Sequence, residues 1–187
     1  MNVWRLITHH THQEHTLRWA EKMGRLAIGW GLIGDIGKNG YTSARDISLA
    51  IKEHYPDLNN GGQGGACLHS FYSDVQPGDL VILSTGGNRR LVMEVEGGYE
   101  FKDDPEPSPI GDYQHQRKAA VLPIDANKLW RAAGSAPADG HSIRWTFIKC
   151  QKPVSAETKA ELAETRSASM DRFTGNAADY TIKKAQK

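Results

Sequence analysis

Hydrophobic and polar positions follow two patterns along this chain. The first is mixed, with strands and helices interleaved; the second, after Val75, is a succession of short apolar runs. Val3 to Ile7 reads as a short strand with Trp4 and Leu6 on one face. Within Glu14 to Met23, Leu17, Ala20 and Met23 recur at helical spacing, and Gly24 ends that helix before a strand from Arg25 to Trp30. Ser43 has the character of an N-cap with Asp46 in the first turn, and Ile47, Ala50 and Ile51 give the following helix its apolar stripe, which stops before Pro56. Asn59 to Gly65 reads as a flexible glycine loop, and Ala66 to Tyr72 as a third helix or a strand.

The later part is punctuated by turns. Pro77-Gly78-Asp79 precedes a buried strand from Leu80 to Ser84, and Gly86 to Arg90 makes a hairpin into Leu91 to Glu96. Gly97-Gly98 interrupts that run before Tyr99-Glu100-Phe101. An acidic, proline-rich loop (Asp103 to Pro109) leads to a strand from His115 to Pro123, a short helix from Asn127 to Ala133 and a last strand from Trp145 to Cys150. The expectation is an α+β domain with about five or six strands and two or three helices over residues 1–152. Residues 153–187 form a helix-prone extension with few large apolar side chains, able to pack only weakly.

Composition narrows the classes. A chain of 187 residues with 39% hydrophobic and 24% charged content suits one soluble domain with a proper core. Its net charge of +1 advertises no nucleic-acid partner, although a local basic face can coexist with neutrality. Two cysteines without a CxxC pair argue against a disulfide scaffold or zinc ribbon. With no apolar run long enough for a membrane span and no signal-peptide pattern, the expected location is the cytoplasm.

The densest chemical signal is Ala27-Ile28-Gly29-Trp30-Gly31-Leu32-Ile33-Gly34-Asp35, an indole at the end of an apolar run among glycines that let other groups approach it. Trp30 is a core plug or one wall of a pocket for a flat ligand. Tyr99 and Phe101, two apart on a strand, share a face and form a second wall or cover the core. Asp35 can accept a hydrogen bond from a ligand edge or cap its own turn. Arg89 and Arg90 sit at a predicted hairpin tip, where they contact phosphate or merely aid solubility, with Lys38, Arg45, Arg117 and Lys118 as further cations.

Other patterns carry less. His9, His10, His12 and His15 lack an acidic or thiol ligand at helical spacing and read as a solvated loop rather than a metal site. Cys67 and His69 would share a strand face, but no third group completes a nucleophile. Gly61-Gly62-Gln63-Gly64-Gly65 lacks the Lys-Ser/Thr of a phosphate loop, and the GxGxxG lettering of Gly29 to Gly34 lacks its dinucleotide-binding context. No cofactor or catalytic residue is expected.

Four segments taken in order resemble one family. They are Ile28 to Asp35, Val75 to Ile82, Val92 to Phe101, and Tyr113-Gln114-His115-Gln116-Arg117. Together, over about residues 1–150, they are similar to EVE-type domains of the PUA-like superfamily, relatives of YTH and ASCH domains. The nearest likeness is to the specificity domains fused ahead of nucleases or motor ATPases in modification-dependent restriction systems. The resemblance implies a small, bent β-barrel flanked by helices that binds nucleic acid by flipping a modified base into an aromatic pocket. It points to Trp30 as a stacking wall, and to His115 and Arg117 near the pocket rim. The expected partner is therefore nucleic acid, modified DNA before RNA. An effector nuclease or ATPase would act from another chain or a longer fusion. The competing classes are a hydrolase of modified nucleosides, for which Glu94 and Lys118 are on hand, and a regulator that binds a small molecule or protein in the same pocket.

Overall fold

The computed structural model describes residues 1–58, 61–103, 111–134 and 145–164. Its elements run β1 (Val3–Ile7), α1 (Gln13–Met23), β2 (Arg25–Ile28), a 3-10 turn (Gly31–Ile33), α2 (Ala44–His54), α3 (Gly61–His69), a π-helical turn (Ser70–Asp74), β3 (Leu80–Thr85), β4 (Asn88–Phe101), β5 (His115–Leu122), α4 (Ala126–Ala132) and β6 (Phe147–Lys149). A further helix, α5, runs over 156–164. The loop expected at Asp103 to Pro109 lies outside the described residues from 104 onward, as does the extension beyond 164.

Local signals set several boundaries. Ser43 Oγ accepts from Asp46 N while the Asp46 carboxylate accepts from Ser43 N, so a complete capping box starts α2. Gly24 at φ 60° closes α1 in the left-handed conformation. The glycine-rich stretch behaves differently from its expectation. From Gly61 it is helix, because small residues let α3 lie close against α2 and Trp30; a Cβ on Gly64 would stand 2.9 Å from Trp30 Cζ2. Close packing overrides the low helix propensity of glycine here.

The strands form one six-stranded mixed sheet in the order β2-β5-β4-β3-β1-β6, with β1 and β3 the parallel pair. The expected barrel is not formed: β2 and β6 stand at opposite borders of an open sheet. Helices cover both faces, so burial is achieved by layers rather than by closure. Trp4, Leu6, Leu26, Ile28, Val81, Leu83 and Met93 pack toward the α1, α2 and α3 side. Val3, Leu80, Ile82 and Val92 face the other way, against Leu129 and Trp130 of α4 and, more loosely, Leu162 of α5. The strand expected to end at Gly97 continues to Phe101, with its register on β5 shifting between Val95 and Tyr99. Asp79 of the Pro-Gly-Asp turn is buried and accepts from Asn2 N, Gln76 N and Trp4 Nε1, joining the starts of β1 and β3.

Candidate functional site

At the end of β2 the chain turns on Trp30 itself. With φ 68°, Trp30 is the only non-glycine residue with positive φ among the described residues, a rare conformation for so large a side chain. Its backbone is held from both directions. Trp30 N donates to Asp112 Oδ2 (3.3 Å), and Trp30 O accepts from His115 Nε2 (3.1 Å). Gly31 N donates to Asp112 O (2.8 Å), and Leu32 N donates to the Tyr55 hydroxyl, which in turn donates to Asp112 Oδ2 (3.0 Å). Asp112, from the turn before β5, and Tyr55, at the end of α2, thus fix the 3-10 turn that presents the indole.

The half-buried indole borders a cleft of about 290 Å³, together with His9, Tyr55, Asp112, Tyr113 and Thr146. That volume lies at the small end of ligand sites and suits a single flat ring. Tyr113 lies against the β2 backbone at Gly29, where a Cβ would stand 3.2 Å from Tyr113 Cε2. The His9 ring packs on Tyr113 with centroids 5.1 Å apart. Thr11 N and His12 N both donate to His9 Nδ1 at 2.8 Å, which puts the ring proton on Nε2. Burial, then the neighbouring His12 and His10, lowers the His9 pKa and favours the neutral ring. Burial raises the Tyr55 and Tyr113 pKa values, so both remain phenols.

Asp35, Tyr99 and Phe101 line a different and shallower depression of about 610 Å³ with Lys38, Tyr72 and Lys102. Asp35 Oδ1 accepts from Gly37 N (2.9 Å) and Lys38 N (3.3 Å), the turn-capping alternative. The wall residues expected to form one pocket therefore divide between two hollows. His115 joins them: its Nε2 meets Trp30 O, its Nδ1 meets the Tyr99 hydroxyl at 2.7 Å, and Phe101 packs on the ring at 5.2 Å. Because a carbonyl only accepts, the Nε2 carries the proton and the Tyr99 hydroxyl donates to Nδ1. Burial pushes the His115 pKa down to about 4, in keeping with a neutral imidazole that is already fully bonded.

The expected phosphate contacts lie elsewhere. His115 and Arg117 are buried, at 0% and 3% exposure, and cannot reach a backbone phosphate in this conformation. Arg117 donates to Phe71 O and Tyr72 O at 2.8 Å and to Gly97 O at 3.2 Å. Arg89 and Arg90 face away from each other: the Arg89 guanidinium lies 4.3 Å over Trp130 of α4, while Arg90 pairs with Glu14 of α1. Neither is an unengaged tip residue, because alternation along a strand sends neighbours to opposite faces. Lys118 is exposed on β5, Lys38 is exposed beside the shallow depression, and Arg45 is exposed on α2. Glu94, the acid considered for hydrolysis, is bound to Lys159 of α5 at 2.6 Å.

Cys67 lies on a helix, not a strand, and its buried thiol donates to Phe147 O, while His69 contacts Ser73. Burial raises the Cys67 pKa, the opposite of an activated nucleophile. No cluster of three or more metal-ligand side chains occurs among the described residues. None of the described helices is long and apolar enough to cross a membrane. Sequence reasoning missed Tyr55, Asp112, Tyr113 and His9 as cleft residues. Tyr113 and the histidines were in view, but their meeting at Trp30 depends on contacts between distant segments.

A family model described as a domain of unknown function (DUF8426) matches residues 4–127. The chain belongs to this family. The match takes in all the cleft residues named above except Thr146. No curated protein matches the chain.

Proposed function

We propose that this protein is a nucleic-acid reader that accepts one extruded, modified base, most readily from DNA, in the Trp30 cleft, and that it acts by binding rather than by catalysis. The observation that carries this reading is the indole held at φ 68° by Asp112 and His115 beside a ring-sized, aromatic-walled cleft. Strain of about 1–3 kcal/mol persists where its surroundings over-determine it, commonly at ligand sites. Stacking contributes about 1–3 kcal/mol per base, enough to offset much of the cost of unstacking. The resemblance to EVE-type, PUA-like domains supports the same ligand class. Lys38, exposed beside the shallow depression, is the cation this reading assigns to a flanking phosphate, whereas Lys102 is paired with Glu100 at 2.6 Å. An effector nuclease or ATPase would be supplied by another chain or a longer fusion.

The test is titration against matched oligonucleotides, unmodified or carrying N6-methyladenine, 5-methylcytosine, 5-hydroxymethylcytosine or glucosylated cytosine, at two salt concentrations. One modification is expected to bind preferentially, with affinity falling as salt rises. The variant Trp30→Gly keeps a residue at ease with positive φ while deleting the ring. It should remain folded and bind about 10–100-fold more weakly, in line with the loss of one stacking wall. A folded W30G protein with unchanged affinity would falsify the cleft assignment.

A further inference from the structure

The segment that joins β1 to α1 is closed by a histidine. Thr11 N and His12 N converge on His9 Nδ1, each at 2.8 Å. A backbone N–H only donates, so the Nδ1 lone pair is the acceptor for both. The ring serves as an Asn or Asp oxygen does in a tight turn, by accepting from backbone N–H groups just ahead in the chain. It does so where α1 begins, at His12, which has no side-chain cap. The same ring forms part of the Trp30 cleft: it packs on the buried Tyr113 with centroids 5.1 Å apart. His10, also in the cleft lining, meets Thr146 Oγ1 at 3.1 Å. The turn at residues 9–12 and one wall of the cleft thus share a single lone pair.

We infer that residues 9–12 form a proton-operated latch on this cleft, closed while His9 Nδ1 is bare and released when a proton occupies it. The inference holds whatever the cleft binds. The neutral ring carries its proton on Nε2, so the next one must go to Nδ1. There it sets an N–H against the two backbone N–H groups, and neither bond survives. The charged ring is then better solvated by water than by Tyr113, and it leaves the cleft wall. The surroundings decide when this happens. Among the described residues, His10 and His12 of the same segment oppose the charge and Asp112 of the turn before β5 favours it, while Tyr55 of α2 and Tyr113 remain neutral phenols. Burial is the largest influence and lowers the His9 pKa from its ordinary value of 6.5. The open segment keeps that ordinary value, so acid favours opening. Below about pH 6.5 the ratio of open to closed forms rises about tenfold per pH unit, until the closed form itself takes the proton.

The test is an NMR titration of the full chain from about pH 8 to about pH 5, with near-ultraviolet circular dichroism as the record of global unfolding. At the start the His9 ring nitrogens should report a bare Nδ1 and a protonated Nε2. Hydrogen exchange of the Thr11 and His12 amides is then compared with that of an unstructured chain at each pH. Their protection should fall about tenfold per pH unit below about pH 6.5, in step with His9 protonation, while the protein remains folded. His9→Asn is the matched variant, because an amide oxygen can accept from the same two N–H groups and does not titrate. Folded H9N should show protection of Thr11 and His12 that does not vary with pH. The latch is overturned if wild-type protection is constant across the range, follows the midpoint of another histidine, or is lost only with global unfolding. It is equally overturned if folded H9N loses protection as the wild type does. The wild-type titration decides the matter even if H9N does not fold, and none of these outcomes bears on the base-reading proposal.

Discussion

Arg117 gives its guanidinium to three main-chain carbonyls rather than to solvent. Two of them, from Phe71 and Tyr72, belong to the π-helical turn that ends α3, where carbonyls lack partners within the helix. A cation there also complements the negative end of the helix dipole. Replacing Arg117 by Met should therefore cost about 3 kcal/mol of stability, because buried carbonyls are left unpaired. Chemical denaturation checks this. A phosphate-contact role predicts the contrary result, weaker and less salt-dependent binding at unchanged stability. The sequence placed His115 and Arg117 on one strand face correctly, but periodicity cannot say whether a face looks outward or into a core.

Helix α3 shows how an element can be misread for a physical reason. Four glycines among residues 61–65 signal flexibility when only backbone entropy is considered, yet three of them, Gly61, Gly64 and Gly65, are buried. What the sequence does not display is the partner surface. Gly64 sits beneath the Trp30 ring and near Ile51, so its missing side chain is a contact rather than a freedom. Gly64→Ala would raise intrinsic helix propensity by about 1 kcal/mol. The added methyl nevertheless meets Trp30 Cζ2 at 2.9 Å and Ile51 Cδ1 at 3.2 Å. Overpacking should dominate, for a net loss of about 1–2 kcal/mol, and the displaced indole should weaken oligonucleotide binding. A melt and a titration on the same sample would expose a gain in stability, which would contradict this account. By contrast the Ser43 cap and the Gly24 stop were legible, since each depends on residues within one turn. The cleft was only half legible: the Gly-Trp-Gly lettering marked Trp30, whereas Tyr55 and Asp112 join it across 25 and 82 positions of chain.

Over the whole molecule, the layer between the two hollows is tied to pH through His115. Its ordinary value near 6.5 falls to about 4 on burial, so the unfolded chain binds the extra proton first. Stability from this group is complete above about pH 6.5 and is lost as pH falls toward 4, by about 3 kcal/mol in all. His9 and His10, also lowered by burial, add in the same direction. Denaturant midpoints should thus decline between pH 7 and pH 4.5. His115→Gln should be less stable at pH 7 yet show a shallower decline; an unchanged slope would remove His115 as its source.

The open sheet has a consequence for behaviour at high concentration. Its border strands, β2 and β6, are four and three residues long. Exposed strand borders recruit other chains when they are long and flat. Among the described residues each of these two strands offers only a brief row of main-chain donors and acceptors, a poor template for a second sheet. Brevity at the margins thus lowers the tendency of two copies to pair edge to edge, a protection that a barrel secures by having no margins at all.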